Sequence, residues 1–178
     1  MTRYIALLRG INVGGKNRIQ MAALRRALSE SGFDQVATYI ASGNVLFAAQ
    51  REPAALEEEI ETLLVARFGM PIAVVVRTHE QLRRIVADAP EGFGGQGHHW
   101  DVVFLKEPLT VEAALDVVEA RDGVDRVWPG EGVLYFARLS ARRTQSRLSR
   151  IVGKPEYRLM TIRNWATTTR LLALLDER

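Results

Sequence analysis

The sequence predicts an α+β protein made of two ferredoxin-like halves, each an antiparallel sheet covered by helices. Three observations carry that expectation. Strand-length apolar runs and amphipathic segments follow one another in the order β-α-β-β-α-β, the order recurs in the second half of the chain, and Gly- or Asn-containing turns join neighbouring strand-like runs. The halves are expected to divide as residues 1–90, with a Gly-rich basic loop, and 91–178, with a basic segment and a C-terminal helix.

Residues 3–9 form an apolar run of strand length that ends in a segment too rich in glycine for regular structure, Gly10-Ile11-Asn12-Val13-Gly14-Gly15-Lys16-Asn17. Met21, Leu24 and Leu28 then recur at helical spacing, and Gly32 ends that helix. Residues 36–41 and 45–48 read as a hairpin across Ser42-Gly43-Asn44. Pro53 opens a second helix whose Leu56, Ile60, Leu63 and Leu64 face inward, with Glu57, Glu58, Glu59 and Glu61 read as its solvated face. Residues 72–76 make the fourth strand, and Thr78 with Gln81 has capping-box spacing before a short helix.

Residues 88–97 read as a loop. A strand at 102–105, a Thr110-capped helix and a hairpin of 124–128 with 133–137 repeat the earlier order. The expected remainder is a short helix over 144–152, a strand at 157–160 and a final helix capped by Thr161, with Trp165, Leu172 and Leu175 inward. The repetition is one of element order, because sequence self-similarity between the halves is weak.

Composition bounds the function. The chain has 178 residues, 47% apolar and 25% charged, and no cysteine. At this length folding buries roughly 70% of the unfolded surface, so cores hold without staples. Disulfides and cysteine-ligated metals are excluded. No apolar run approaches the ~20 residues of a bilayer span, and Met1-Thr2-Arg3-Tyr4 does not open a signal peptide, so no membrane role and a cytoplasmic location are expected.

Charge is segregated along the chain. Residues 1–29 hold six basic side chains and no acid, residues 30–137 hold eight basic and 18 acidic ones, and residues 138–163 hold eight basic ones against Glu156 alone. Such segregation points to an anionic partner, a small molecule or nucleic acid, while pairing of the basic ends with the acidic middle of the same chain accounts for it equally well.

Residues 10–17 match G-x-x-x-x-G-K-[ST] except at Asn17, which replaces the hydroxyl that holds magnesium. No apolar strand ends in an acid to hold that metal, so nucleotide hydrolysis of the phosphate-loop kind is not expected. A looser anion site formed by loop N–H groups with Arg9, Lys16 and Arg18 stands beside a structural tight loop. Gly92-Phe93-Gly94-Gly95-Gln96-Gly97 fits G-x-G-x-x-G but precedes a strand where dinucleotide sites need a helix, and reads as a flexible connector. His98, His99 and Asp101 lie together, but adjacent histidines on a strand face opposite ways, so no metal site is expected. No cofactor is implied either. Thr161-Ile162-Arg163-Asn164-Trp165 reads as a capped helix start presenting a guanidinium and an amide beside free N–H groups.

The stretches Leu7-Leu8-Arg9-Gly10-Ile11-Asn12-Val13-Gly14-Gly15-Lys16-Asn17, Thr38-Tyr39-Ile40, Ser42-Gly43-Asn44-Val45 and Thr161-x-Arg163-Asn164-Trp165 resemble the bacterial domain-of-unknown-function family numbered 1697, nearly end to end. The resemblance implies two ferredoxin-like halves and no activity. Arg9, Asn12, Lys16, Ser42, Asn44, Arg163 and Asn164 match its motif positions, whereas Ala166 stands where the family often has a polar residue. The resulting candidate ligand set is Arg9, Asn12, Gly14, Gly15, Lys16, Asn17, Ser42, Asn44, Arg163 and Asn164.

The reading favoured is a small cytoplasmic protein that binds an anionic or phosphorylated ligand, or nucleic acid, with one sheet face free for the purpose. An enzyme acting on a phosphorylated or carboxylated metabolite between the halves is the alternative, although no general base can be named. A protein-interaction module is the third. A monomer or a homodimer is expected.

Overall fold

The structure, a computed structural model, describes all of residues 1–178. The chain divides into two compact units, Met1–Arg83 with Leu171–Arg178, and Arg84–Arg170. No helix is long and apolar enough to cross a membrane.

In the first unit, β1 (Thr2–Leu8), α1 (Met21–Glu30), β2 (Asp34–Tyr39), β3 (Asn44–Ala49), α2 (Pro53–Phe68) and β4 (Val74–Thr78) follow in order. The sheet order β2-β3-β1-β4, with each neighbouring pair antiparallel, is that of a ferredoxin-like sandwich. Tyr4, Ala6 and Leu8 of β1 join Val45, Phe47, Val74 and Val76 beneath Leu24 and Leu28 of α1 and Leu56, Ile60 and Leu64 of α2. α3 (His79–Ala87) opens with the predicted capping box: the Gln81 N–H donates to Thr78 Oγ1 at 3.0 Å and the Thr78 N–H to Gln81 Oε1 at 2.9 Å.

The second unit repeats the strand order. β5 (His98–Leu105), α4 (Val111–Val117), β6 (Asp125–Gly130), β7 (Val133–Leu139) and β8 (Met160–Asn164) pair as β6-β7-β5-β8, again antiparallel, and α5 (Trp165–Asp176) follows β8. Val103, Leu105, Leu134, Phe136 and Met160 build its core with Ala114 of α4 and with Leu148 and Ile151.

Four expectations are corrected. The helix predicted over 144–152 is instead a chain of 3-10 turns, Ser140–Gln145, Leu148–Gly153 and Pro155–Leu159, because serines, Thr144, Gly153 and Pro155 interrupt every attempt at a longer helix. Thr161 lies inside β8 rather than at a helix start, and the cap of α5 is Asn164, whose Oδ1 accepts the Thr167 N–H at 2.7 Å. The four glutamates of α2 are not all solvated: Glu57 is buried and accepts the Val76 N–H at 2.9 Å, and Glu61 accepts the Val74 N–H at 2.8 Å. Two carboxylates one helical turn apart therefore satisfy amides of an edge strand that would otherwise stay unpaired. Finally, neither sheet leaves a face free. Ile5, Leu7 and Val75 in the first unit and Val102, Phe104 and Tyr135 in the second, which point away from the helix-covered cores, are themselves 0–1% exposed. Their strands are continuous apolar runs without period-2 alternation, the pattern of a strand buried on both faces.

Candidate functional site

Residues 10–17 fold into a miniature hairpin. Gly14 and Gly15 both have positive φ, +58° and +76°, and the Lys16 N–H donates to the Val13 carbonyl at 3.0 Å, closing a two-residue turn whose central residues only glycine enters without strain. Asn12 and Asn17 flank the turn, also at positive φ, and the Asn12 N–H donates to Asn17 O at 3.1 Å. Their side chains are latches. Asn12 Nδ2 donates to Ile19 O at 3.0 Å and Ala41 O at 2.7 Å while its Oδ1 accepts the Ile19 N–H at 2.9 Å, and Asn17 Nδ2 donates to Gly10 O at 3.1 Å. The resemblance to a phosphate loop thus arises from a turn, with four residues between Lys16 and the start of α1.

The neighbouring β2–β3 loop is held the same way. Asn44 is fully buried and its Nδ2 donates to Tyr39 O at 2.9 Å and to Ser42 Oγ at 3.0 Å. Asn12, Asn17, Ser42 and Asn44 are therefore placed as framework. Gly43 belongs to that framework: its φ is +88°, its carbonyl accepts the Leu8 N–H at 2.8 Å, and a Cβ there would lie 2.9 Å from Leu8 Cβ and 2.6 Å from Ile11 Cδ1.

On this frame the groups with capacity for a ligand are few. The N–H groups of Gly14, Gly15, Asn17 and Arg18 have no protein acceptor, and Lys16 and Arg18 are exposed without an ion-pair partner. The N-cap position before α1 is Gln20, which supplies no capping side chain, and the first turn of the helix carries no acid. A cavity of about 490 Å³ opens there, lined by Asn12, Gly15, Arg18, Ile19 and Gln20. Lys16 stands in the adjoining turn and does not line it. Arg9 is half-buried, and its N–H is taken by Ala73 O at 3.0 Å.

Arg163 and Asn164 belong to the second unit. Arg163 is 8% exposed in the middle of β8, its Nη1 donates to the Ile162 carbonyl at 2.9 Å, and burial lowers its pKa to about 10, which keeps it charged at neutral pH. It is a buried strand cation rather than a helix-start guanidinium. Asn164, exposed, lines a second cavity of about 500 Å³ with Gly94, His98, His99, Trp100, Asp101, Arg138, Arg143, Trp165 and Ala166.

Sequence reasoning overlooked this second cavity because its residues come from one loop, three strands, a 3-10 turn and a helix start. One signal was present in the segment 92–97, which is no loose connector. Phe93 packs its ring 4.7 Å from Trp100, 5.4 Å from Tyr135 and 5.0 Å from Trp165 between centroids. A Cβ on Gly94 would fall 2.4 Å from Trp165 Nε1, so the glycine is needed for the indole to close on the backbone.

No curated protein matches the chain. A solved structure, that of the conserved bacterial protein SP0830 from Streptococcus pneumoniae, is similar over 98% of both chains, with 29% identity and a TM-score of 0.86. The model of a family described as "Protein of unknown function (DUF1697)" matches residues 1–135, a span that includes every element from β1 to α3, then β5, α4 and β6, and ends within β7. The chain belongs to the DUF1697 family.

Proposed function

We propose that the protein binds a small phosphorylated anion at the 10–17 loop, with Arg18 and the start of α1 as its recognition elements. The observation that carries this reading is the uncapped, acid-free N-terminus of a ten-residue helix opening into a cavity lined by Arg18. Free N–H groups at a helix start carry partial positive charge, and an anion placed there completes the missing cap. The unpartnered N–H groups of Gly14, Gly15 and Arg18 and the exposed charge of Lys16 add to the same field. The framework role of Asn12 and Asn17 supports the reading too, because a loop pinned by its own side chains loses little freedom when a ligand arrives.

A small anion is favoured over nucleic acid because much of the basic segment 138–163 is already engaged. Arg150 and Lys154 both pair with Glu119, Arg138 pairs with Asp101, and Arg142 donates to Gln145. The test is a thermal-shift series with pyrophosphate, ribose 5-phosphate, single-stranded RNA and sodium sulfate, on wild type and Arg18→Ala. The reading expects one of the phosphorylated compounds to raise the melting temperature of the wild type and not of the variant. Shifts of equal size in both proteins, or shifts by every polyanion that disappear in salt, contradict it.

A further inference from the structure

The second unit carries a cavity of a different character. Its polar lining holds several donors, the guanidinium groups of Arg138 and Arg143 and Asn164, whose Oδ1 accepts the Thr167 N–H and whose Nδ2 is left to donate, with the rings of His98 and His99 beside them. Asp101 is the sole carboxylate among the lining residues, and Arg138 Nη2 meets its Oδ2 at 3.4 Å. Arg138 is not exhausted by that contact, since its Nη1 makes no hydrogen bond within the protein and is not sealed from solvent. Such a donor on a guanidinium is a group whose hydrogen-bonding capacity a ligand would satisfy. Arg143, exposed on the 3-10 turn after β7, approaches His99 Nε2 at 3.5 Å and closes the other side.

The apolar lining is aromatic. Trp100 and Trp165 border the cavity, and both are fixed: Trp100 Nε1 donates to Gly95 O at 2.7 Å, and Phe93 packs against both indoles. Rigid, half-buried indoles beside two arginines suit a flat ring joined to an oxyanion, because the ring gains contact with the aromatic surface while a planar guanidinium forks onto carboxylate or phosphate oxygens. A volume of about 500 Å³ lies within the usual range for small-ligand sites.

We propose that this cavity is a separate binding site for a ring-bearing oxyanion, with Arg138 and Arg143 holding the anionic group and Trp100 and Trp165 flanking the ring. The site shares no residue with the 10–17 loop, and it stands or falls independently of that loop.

Tryptophan fluorescence tests it directly, because all three tryptophans, Trp100, Trp128 and Trp165, lie in the second unit and two of them border the cavity. The full-length protein is titrated with AMP and with benzoate, which separate the phosphate from the carboxylate source of the oxyanion, and with adenosine and inorganic phosphate as half-ligands. Expected are saturable changes with AMP or benzoate, binding at least tenfold weaker for the half-ligands, and a further tenfold weakening in Arg143→Ala at unchanged melting temperature. Arg143→Lys should recover part of the affinity, and Arg18→Ala should titrate like the wild type. No saturable change with either ring-bearing anion overturns the proposal. So does adenosine binding as tightly as AMP with benzoate silent, or a wild-type titration in Arg143→Ala.

Discussion

The two units share a strand order and differ in how they fill one connection. Between β3 and β4 the chain places α2, sixteen residues that start on Pro53 and are rich in Ala, Leu and Glu; between β7 and β8 it places three 3-10 turns broken by serines, Gly153 and Pro155. The difference shows that the pairing order does not require a regular helix in that connection. Strand hairpins and their registers specify the sheet, and the connection is free to take on other work. In the first unit that work is structural, as Glu57 and Glu61 satisfy the outer amides of β4. In the second unit the connection carries arginines, one of which borders a cavity.

The largest expected effect breaks the comparison at the framework. Gly43→Ala adds a Cβ against Leu8 and Ile11 at a positive φ and should cost roughly 2–4 kcal/mol in urea unfolding. Gly14→Ala, at positive φ but with open space around it, should cost only about 1 kcal/mol. Equal losses would mean that backbone conformation alone, rather than close packing, sets the cost.

Next comes the sealed strand. Glu57→Ala removes the acceptor of a buried amide and the carboxylate 3.9 Å from Arg77, and should cost about 2–3 kcal/mol, whereas Glu58→Ala on the exposed side of the same turn should stay within about 0.5 kcal/mol. A smaller effect sharpens the second unit. Tyr135 donates its buried hydroxyl to Ile85 O at 2.6 Å, and Tyr135→Phe should lose about 1–2 kcal/mol. Burial, helped by the negative charge of Asp88, holds the Tyr135 pKa at about 12 against 10.0 for a free tyrosine. The unfolded chain therefore releases this proton first, and stability should fall as pH rises from 10 to about 12, by an amount that Tyr135→Phe removes. A wild-type alkaline profile in the variant would assign the loss to other groups. The smallest effect is at the ligand loop, where Arg18→Ala should change stability by less than about 0.5 kcal/mol.

Most of the fold was legible in the sequence. Apolar runs bounded by turn residues mark the strands, and Thr78 with Gln81, Pro53 and Thr110 mark helix starts that the structure retains. What sequence periodicity could not convey was competition between neighbours. Thr161 is a good cap in isolation, yet β8 runs on to Asn164 because residues 160–164 pair with β5, and the cap moves to Asn164. Glu57 looks like one of four solvated acids, and only the position of β4 shows why it is buried. The candidate residues divide along the same line: the Gly-rich loop was visible as a motif, while the partners that make Asn12, Asn17, Ser42 and Asn44 framework lie in backbone geometry that no motif encodes.

The proposed role of the 10–17 loop is tested most directly by following backbone amide resonances during titration with pyrophosphate. The account predicts saturable shifts at Gly14, Gly15, Arg18 and the first-turn residues Met21, Ala22 and Ala23, all lost in Arg18→Ala. Shifts spread evenly over the exposed arginines, or none at the loop and α1, would contradict it.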